Sequence, residues 1–321
     1  MKMKQVSVEI IHKCPNHCIH CSSFSGMDCT MKIPKEVVYG IIDGMKQIGM
    51  ELLSISGGEP FLHDGLLDIV RYAKSKGIIV YIYTSGIMLN GLGQGCELEN
   101  CLLTELDEAG VDRIIFDLPA IDEDVYDRFM GTNGHLKYVL NSIERTTEKG
   151  IFTEVHFVPT RINVKQIDAM LAYVEKANVN QISFLGLVPH GRAKQNSDEL
   201  YIPKKENDEL KRKLAEIQMD NVRIGIPLQT DNSEYQCFAG KRKLCVRYDG
   251  KVFGCEAFKY IVLYDNEGQV VEPDSIYQKS ISEIYCNSLY LKAEREFVRK
   301  QMSCSDCNEK CPVQRLMRKA V

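Results

Sequence analysis

The residues with the clearest capacity for chemistry are three cysteines near the start of the chain. Cys14, Cys18 and Cys21 form a C-x3-C-x2-C pattern directly after an apolar run over residues 6–11. That run predicts a short buried strand, so the cysteines are expected in the loop that leaves its carboxyl end. Three thiolates in one compact loop suit three irons of a cubane cluster, which normally takes four cysteines. The spacing therefore favours a cluster with one iron open to another ligand.

Two other interpretations of this loop remain open at this point. A structural zinc ion takes four ligands, usually from two C-x2-C pairs, and His17 or His20 could complete such a set. The x3 gap is unusual for zinc. A disulfide-bonded loop is the other possibility, and it requires an oxidising compartment.

A second motif, Gly57-Gly58-Glu59-Pro60, follows the second predicted strand at residues 52–56. Together with the cysteine pattern, this motif resembles the radical S-adenosylmethionine (SAM) superfamily, and the resemblance covers roughly residues 6–230. It implies a [4Fe–4S] cluster whose open iron chelates the amino and carboxylate groups of SAM. It also implies that the GGEP turn binds the methionine amino group, with Glu59 accepting from the ammonium. We expect Gly57 and Gly58 to let the backbone approach the ligand closely.

The resemblance extends to residues at the ends of later strands. Thr84 and Ser85, in Thr84-Ser85-Gly86, match a position that contributes to the SAM pocket. Asp117 ends the fourth predicted strand, where a polar side chain often meets the ribose or the substrate. Arg161 follows the fifth strand and is expected at the carboxylate or ribose of SAM. For Asp117 and Arg161, a loop role that satisfies local backbone groups remains an equal alternative.

Apolar runs and helical patterns alternate along the chain, which predicts an α/β fold with a parallel sheet and right-handed crossovers. Six such units suit a partial (β/α)6 TIM-like barrel rather than a closed one. Ligands of such sheets bind at the carboxyl ends of the strands, where both motifs fall. We expect residues 1–230 to form this core and residues 231–321 a small cysteine-rich iron–sulfur domain. The predicted strands cover residues 6–11, 52–56, 78–83, 113–118, 152–158 and 181–187.

Six further cysteines lie in two groups near the carboxyl end, and Asp249-Gly250 predicts a hairpin within the first group. The first group resembles the SPASM and twitch extensions of radical SAM enzymes, which carry auxiliary [4Fe–4S] clusters. The second group, C-x2-C-x3-C, has fewer cysteines than a full SPASM domain. We therefore expect one auxiliary cluster, with Cys237 and Cys255 as ligands and the remainder supplied from Cys245, Cys304, Cys307 and Cys311. A zinc knuckle and a second cluster with an open iron remain alternatives.

Glu256 directly follows Cys255. In sulfatase-maturing relatives an acidic residue beside that cysteine deprotonates the substrate radical, so the resemblance makes Glu256 a candidate catalytic base. The other cysteines, Cys29, Cys96, Cys101 and Cys286, are expected to be free thiols.

Composition limits the cellular setting. The chain has 321 residues, 13 cysteines and a net charge of −4, with a pI near 6.0. That charge gives no general basic surface for nucleic acid. We see no signal peptide and no apolar run long enough to span a membrane. A cysteine-rich chain without a secretory signal is expected in the cytoplasm, with its cysteines used for metal or redox chemistry.

The resemblance implies an enzyme that cleaves SAM reductively to a 5′-deoxyadenosyl radical, which abstracts a hydrogen atom from a substrate. Relatives with this extension often modify ribosomally made peptides or protein side chains, and we expect a peptide here. The auxiliary cluster would assist oxidation or bind the substrate, and an external flavodoxin- or ferredoxin-type protein would supply electrons. A dehydrogenase of a small sugar or aminoglycoside-type molecule is the alternative enzyme. A non-catalytic metal-binding or sensor protein is the alternative of another class.

Overall fold

The computed structural model describes residues 3–230, 236–265, 267–302 and 311–314. Strands and helices alternate through most of this length. The strands are β1 (Gln5–Ile11), β2 (Leu52–Gly57), β3 (Ile79–Thr84), β4 (Met88–Leu89), β5 (Gly95–Cys96), β6 (Arg113–Asp117), β7 (Thr153–Phe157), β8 (Gln181–Phe184), β9 (Val222–Ile224), β10 (Lys243–Val246), β11 (Val252–Phe253), β12 (Leu263–Tyr264) and β13 (Val270–Val271). The helices are α1 (Lys35–Gln47), α2 (Leu66–Ser75), α3 (Asn100–Glu108), α4 (Glu123–Met130), α5 (Leu136–Glu148), α6 (Ile167–Lys176), α7 (Arg192–Gln195), α8 (Ser197–Leu200), α9 (Lys204–Ala215), α10 (Ile281–Asn287) and α11 (Leu289–Met302).

One large sheet organises the molecule, with strand order β11-β10-β1-β2-β3-β6-β7-β8-β9. In this strand order, every pair of neighbours from β10 through β1 to β9 is parallel, and the pair β10–β11 at the edge is antiparallel. The predicted parallel α/β sheet is therefore confirmed, and each predicted core strand is present within a few residues of its expected position. Because the strands are parallel, the loops after β1, β2, β3, β6 and β7 all emerge at one edge of the sheet.

The two faces of this sheet differ in chemistry because side chains alternate along each strand. One face is apolar and fully buried in the main hydrophobic core, as shown by Val6, Val8, Ile82 and Val155. The opposite face is polar and is called the polar face below. It carries Ser7, Glu9, Tyr83, Arg113, Asp117, Glu154, His156, Ser183 and Lys243.

The sheet continues beyond the predicted core on the side of β1. Strand β10 pairs with β1, placing Cys245 opposite Ser7, and β11 returns antiparallel to β10. The hairpin predicted at Asp249-Gly250 is thus confirmed, and Gly250 has the positive φ (81°) that such a turn requires. Residues after 230 therefore extend the same sheet, in addition to forming the separate hairpin of β12 and β13.

One helix near the functional loops was not predicted from the sequence. Asp122 caps the start of α4 by accepting from the backbone N–H of Val125 (3.0 Å), and Gly131 ends the helix in the left-handed conformation. These caps were visible in the sequence, but the helix has only 8 residues. Among the described residues, no helix combines the length and apolar character needed to cross a membrane.

Candidate active site

The three cysteines lie in a loop at the carboxyl end of β1, as predicted. Burial raises the pKa of the Cys18 thiol, and the nearby Cys14 and Cys21 raise it further. Burial likewise raises the pKa of Cys14, which is 6% exposed. Buried, mutually repelling thiols are poor free thiolates, but metal binding supplies the positive charge that deprotonates them. The loop therefore fits a metal cluster.

In the described part of the chain, the cysteine side chains and their neighbours form no ready site for a single metal ion. Within the described residues, no three His, Cys, Asp or Glu side chains converge on one ion position. Three thiolates of a cubane bind three different irons, so they need not converge. His20, a possible zinc ligand from the sequence, instead contacts Asp117 (Nε2–Oδ2 3.0 Å). Cys14, Cys18 and Cys21 are also not joined by disulfides. These three cysteines therefore form no disulfide with one another, and zinc with His17 stays an alternative prediction at this point.

The end of α4 holds the middle of this loop. The backbone N–H of His17 donates to the carbonyl of Met130 (3.0 Å), and that of Ile19 donates to the carbonyl of Phe129 (3.0 Å). Gly131 has φ of 63°, and a Cβ there would lie 2.5 Å from the carbonyl oxygen of His17. The helix missed from the sequence is therefore part of the scaffold that shapes the cysteine loop.

The two glycines of the GGEP turn pack against the chain that enters the cysteine loop. A Cβ on Gly57 would lie 2.2 Å from the carbonyl oxygen of Ile11, and one on Gly58 would lie 2.1 Å from that of Lys13. The N–H of Gly58 donates to Ile11 (2.6 Å), and that of Glu59 donates to Lys13 (2.9 Å). The close approach we expected toward the ligand is thus made to the backbone of residues 11–13. The glycines join the two motifs into one unit.

The Glu59 carboxylate is held by hydrogen bonds within the protein. It is fully buried, and Pro60 directly after it begins a buried turn. Oε1 accepts from the N–H of Phe61 (3.2 Å) and the hydroxyl of Thr84 (2.7 Å), while Oε2 accepts from the N–H (2.8 Å) and hydroxyl (2.6 Å) of Ser85. A carboxylate offers about four acceptor positions, and all are occupied. These donors tie the GGEP turn to the end of β3, and the role of Glu59 as acceptor for the ammonium stays a prediction.

Asp117 lies beside the cysteine loop, and its expected contact with the ribose or the substrate stays a prediction. Its carboxylate contacts His20 and is close enough to raise the pKa of Cys18, after burial and the other two thiols. Arg161 has a different environment. It is exposed, and its Nη1 donates to the backbone carbonyl of Asp198 in α8 (3.0 Å). These contacts match the alternative of a loop residue satisfying local backbone groups, so they do not support Arg161 in the SAM pocket.

The carboxyl-terminal cysteines are partly described. Cys237 is buried, and Cys255 and Cys311 are half-buried. Burial raises the pKa of Cys255, and the ammonium of Lys243 opposes this increase. Glu256 and the thiol of Cys311 add to the increase, so the thiols of Cys255 and Cys311 lie near each other. This proximity agrees with a shared auxiliary cluster. Cys304 and Cys307 lie outside the described residues. Cys29, Cys96, Cys101 and Cys286 carry free thiols.

Cys245 occupies a different position from the ligand that we expected. It lies within β10 with no exposed surface, opposite Ser7 of β1. Burial raises the pKa of its thiol most, and the next largest influences come from the carboxylates of Glu256 and Glu9 and the ammonium of Lys259. A thiol inside the sheet among charged side chains favours a structural role over a cluster ligand.

Glu256 follows Cys255 and faces β1 and β10. Its carboxylate contacts Lys243 (Oε2–Nζ 2.6 Å) and accepts from the Ser7 hydroxyl (2.7 Å). Burial disfavours the charged form, but the ion pair with Lys243 outweighs it and lowers the pKa to about 2. A base works best when its pKa lies near the working pH, so this carboxylate is a weak proton acceptor while the pair persists.

Lys259 connects the region of Cys255 to the cysteine loop, and His190 connects that region to the segment before α7; the sequence carried no signal for either link. Nζ of Lys259 donates to Glu9 (2.6 Å), Ser22 (3.3 Å) and Ser23 (2.6 Å). Nε2 of His190 contacts the carbonyl of Ala257 (2.5 Å). The segment after Cys255 therefore reaches β1 and the residues that follow the cysteine loop, whereas Cys255 itself follows β11 toward the amino end of β1.

The polar face also carries a charged network that sequence reasoning missed. Glu154 of β7 accepts from Arg113, from Ser183 and from Nε2 of His156 (3.0 Å). Burial opposes its ionisation, but these donors outweigh burial and lower the pKa to about 2. His156 pairs in register with Asp117 on β6, so the network begins one strand away from the residue that touches the cysteine loop. The only sequence signal was polar alternation along one strand.

Comparison with known proteins assigns the family. The model of the radical SAM superfamily matches residues 8–174, which include the cysteine loop and the GGEP turn. The chain belongs to this superfamily. Radical SAM proteins use a [4Fe–4S] cluster and SAM, and the three-cysteine loop described above fits that cluster.

Curated relatives within the superfamily are distant. The chain is 26% identical over 188 residues to Fe-coproporphyrin III synthase of Methanosarcina barkeri, which covers 58% of this chain and 45% of that protein. It is 22% identical over 258 residues to PqqA peptide cyclase of Granulibacter bethesdensis, which covers 78% of this chain and 66% of that protein. The chain thus spans between about half and two thirds of the length of these relatives.

Solved structures extend the likeness over nearly the whole chain. SuiB of Streptococcus suis bound to S-adenosylmethionine aligns with a TM-score of 0.74 and 15% identity, covering 98% of this chain and 74% of that one. SuiB bound to its precursor peptide SuiA aligns with a TM-score of 0.70 and 14% identity, covering 91% and 66%. At such low identity the likeness shows the fold, and it confirms the predicted partial barrel of radical SAM proteins.

Proposed function

We propose that this radical SAM protein modifies a peptide or a protein side chain, with an auxiliary [4Fe–4S] cluster held by its carboxyl-terminal cysteines. The observation that carries the proposal is the contact of Lys259, four residues after Cys255, with Glu9 of β1 and with Ser23 just after the cysteine loop. Names among the relatives favour a peptide, since one is a PqqA peptide cyclase and SuiB has been solved with a precursor peptide. We also propose residues 231–321 as the segment that holds the auxiliary cluster.

The proposed roles follow from the contacts. Cys14, Cys18 and Cys21 would hold the cluster that binds SAM, and Glu59 would keep the GGEP turn in place for it. When bound, the cluster and SAM supply the radical that abstracts a hydrogen atom from the substrate. Hydroxyl, carboxylate and imidazole groups of the polar face, such as Asp117 and His156, can hydrogen-bond a polar peptide beside them.

The carboxyl-terminal cysteines would serve oxidation of the substrate. Cys255 and Cys311 would hold the auxiliary cluster together with Cys237, which precedes the same hairpin in the sequence. That cluster would accept an electron from the substrate after hydrogen abstraction. Glu256 lies next to Cys255, where a proton released in the same oxidation could be received. Its pairing with Lys243 makes it a weak base, so its part in proton transfer is tested directly. Glu256→Gln with unchanged turnover and unchanged iron content would exclude it as the base.

The first experiment is anaerobic reconstitution with iron and sulfide counting, followed by SAM cleavage under dithionite. A Cys14→Ala/Cys18→Ala/Cys21→Ala variant is the partner sample. About eight irons in the wild type, with 5′-deoxyadenosine absent from the variant, would support the proposal. About four irons with SAM cleavage retained would remove the auxiliary cluster. Bound zinc without 5′-deoxyadenosine would contradict the proposed activity.

A second experiment tests the substrate class. The reconstituted protein is incubated with a synthetic library of short peptides, and mass spectrometry records peptides that lose two hydrogens. Loss of two hydrogens only when SAM and dithionite are present would support peptide oxidation. SAM cleavage with an unaltered library, together with oxidation of an aminoglycoside-type alcohol supplied in its place, would favour the small-molecule dehydrogenase.

A further inference from the structure

Arg192 lies behind the cysteine loop, at the start of α7. Its Nε donates to the carbonyl oxygen of Cys18 (2.7 Å), and its Nη2 donates to that of Ser25 (2.7 Å). Its backbone N–H donates to the carbonyl of Cys21 (2.9 Å). The residue is 7% exposed. One buried side chain and its backbone thus hold both ends of the C-x2-C part of the loop.

Neighbouring residues add to this attachment. Gly191 has φ of 57°, and a Cβ there would lie 2.5 Å from the carbonyl oxygen of Cys21, so the chain presses directly on the loop. Nδ2 of Asn196 donates to the carbonyl of Ile19 (3.0 Å). The carbonyls of Cys18, Ile19 and Cys21 therefore all accept from residues 192–196.

These hydrogen bonds do not explain why a charged side chain is buried at this position. Other buried cations of the sheet pair with carboxylates: Lys259 with Glu9, and Arg113 with Glu154. Across the part of the chain that the structure describes, the donors of Arg192 meet only backbone carbonyls. A buried guanidinium without an anionic partner is costly, so it signals negative charge nearby.

We propose that Arg192 is a positioning residue for the iron–sulfur cluster: it holds the carbonyls of the cysteine loop and offsets the negative charge that the ligated cluster brings. The inference rests on the cluster that the superfamily uses and is independent of the substrate. A nearby positive charge favours the state that carries one more electron. Arg192 therefore stabilises the reduced cluster relative to the oxidised one.

The test compares Arg192→Gln, which removes the charge, with Arg192→Lys, which keeps it but cannot make both side-chain contacts. Arg212→Gln is the matched control, because Arg212 is exposed and its Nε also donates to a backbone carbonyl, that of Asp208 (3.4 Å). After anaerobic reconstitution, iron and sulfide are counted. The midpoint potential is then measured by redox titration of the electron paramagnetic resonance signal that changes when SAM is added, which isolates the SAM-binding cluster.

We expect Arg192→Gln to hold less iron than the wild type and to have a more negative potential. Arg192→Lys should hold less iron but keep a potential near that of the wild type, and Arg212→Gln should match the wild type in both. Full iron content with an unaltered potential in Arg192→Gln would overturn the proposal. Should Arg192→Gln fail to fold, Arg192→Lys decides: reduced iron supports the proposal, and wild-type iron content overturns it.

Discussion

Replacing Lys259 by methionine tests whether the carboxyl-terminal segment is part of the core. Lys259 and Glu9 form a buried ion pair (Nζ–Oε1 2.6 Å), with side chains 2% and 7% exposed. Lys259 also donates to Ser22 and Ser23 of the cysteine loop. The methionine variant removes one partner of this pair and leaves the Glu9 carboxylate buried without its cation.

Removing one partner of a buried ion pair costs about 3–5 kcal/mol, because the other charge remains desolvated. The unfolding entropy of globular proteins is about 2.1 cal/mol/K per residue, so for a chain of this length the loss corresponds to a decrease in Tm of about 4–7 °C. Thermal unfolding of the cluster-free protein, followed by circular dichroism under anaerobic conditions, measures this change.

The chain offers a matched control. Lys32 and Asp64 form an ion pair of similar length (2.9 Å), but their side chains are 48% and 77% exposed. Surface pairs contribute about 0–1 kcal/mol, so Lys32→Met should lower Tm by about 1.5 °C or less. Glu9→Gln/Lys259→Met should be more stable than Lys259→Met alone, because it removes the stranded charge. Equal, small decreases in Tm for Lys259→Met and Lys32→Met would refute the reasoning.

Two further predictions concern the site. The lowered pKa of Glu256, about 2 against 4.5, adds stability that is present above about pH 4.5 and lost as the pH falls toward 2. Glu256→Gln should therefore weaken the pH dependence of Tm in that range, and an unchanged dependence would contradict the pairing with Lys243. Gly58→Ala places a Cβ 2.1 Å from the Lys13 carbonyl and should lower both Tm and iron content. Gly40 lies in α1, and a Cβ added there would meet nothing within 4 Å. Gly40→Ala should therefore stabilise the protein by up to about 1 kcal/mol, as thermal unfolding would show.

Much of the fold could be predicted because its signals are local. The strands of the core have the apolar alternation expected of a sheet packed on helices, and their spacing indicates parallel connections. The pairing of β10 with β1 carries no such signal, since the partners Ser7 and Cys245 lie 238 residues apart in the sequence. The assignment of Cys245 as a ligand came from counting cysteines, whereas the sheet surrounds it with Glu9, Glu256 and Lys259.

The candidate site likewise combines motifs that can be recognised locally in the sequence with contacts between distant segments of the chain. The sequence by itself determined the chemistry, because C-x3-C-x2-C and GGEP specify which groups can meet a cluster and SAM. Only the tertiary structure decided how those groups are held. Three of the four donors around Glu59, and the carbonyls that surround Arg192, come from distant segments. Hydrogen bonds between such segments depend on distances that no spacing in the sequence records.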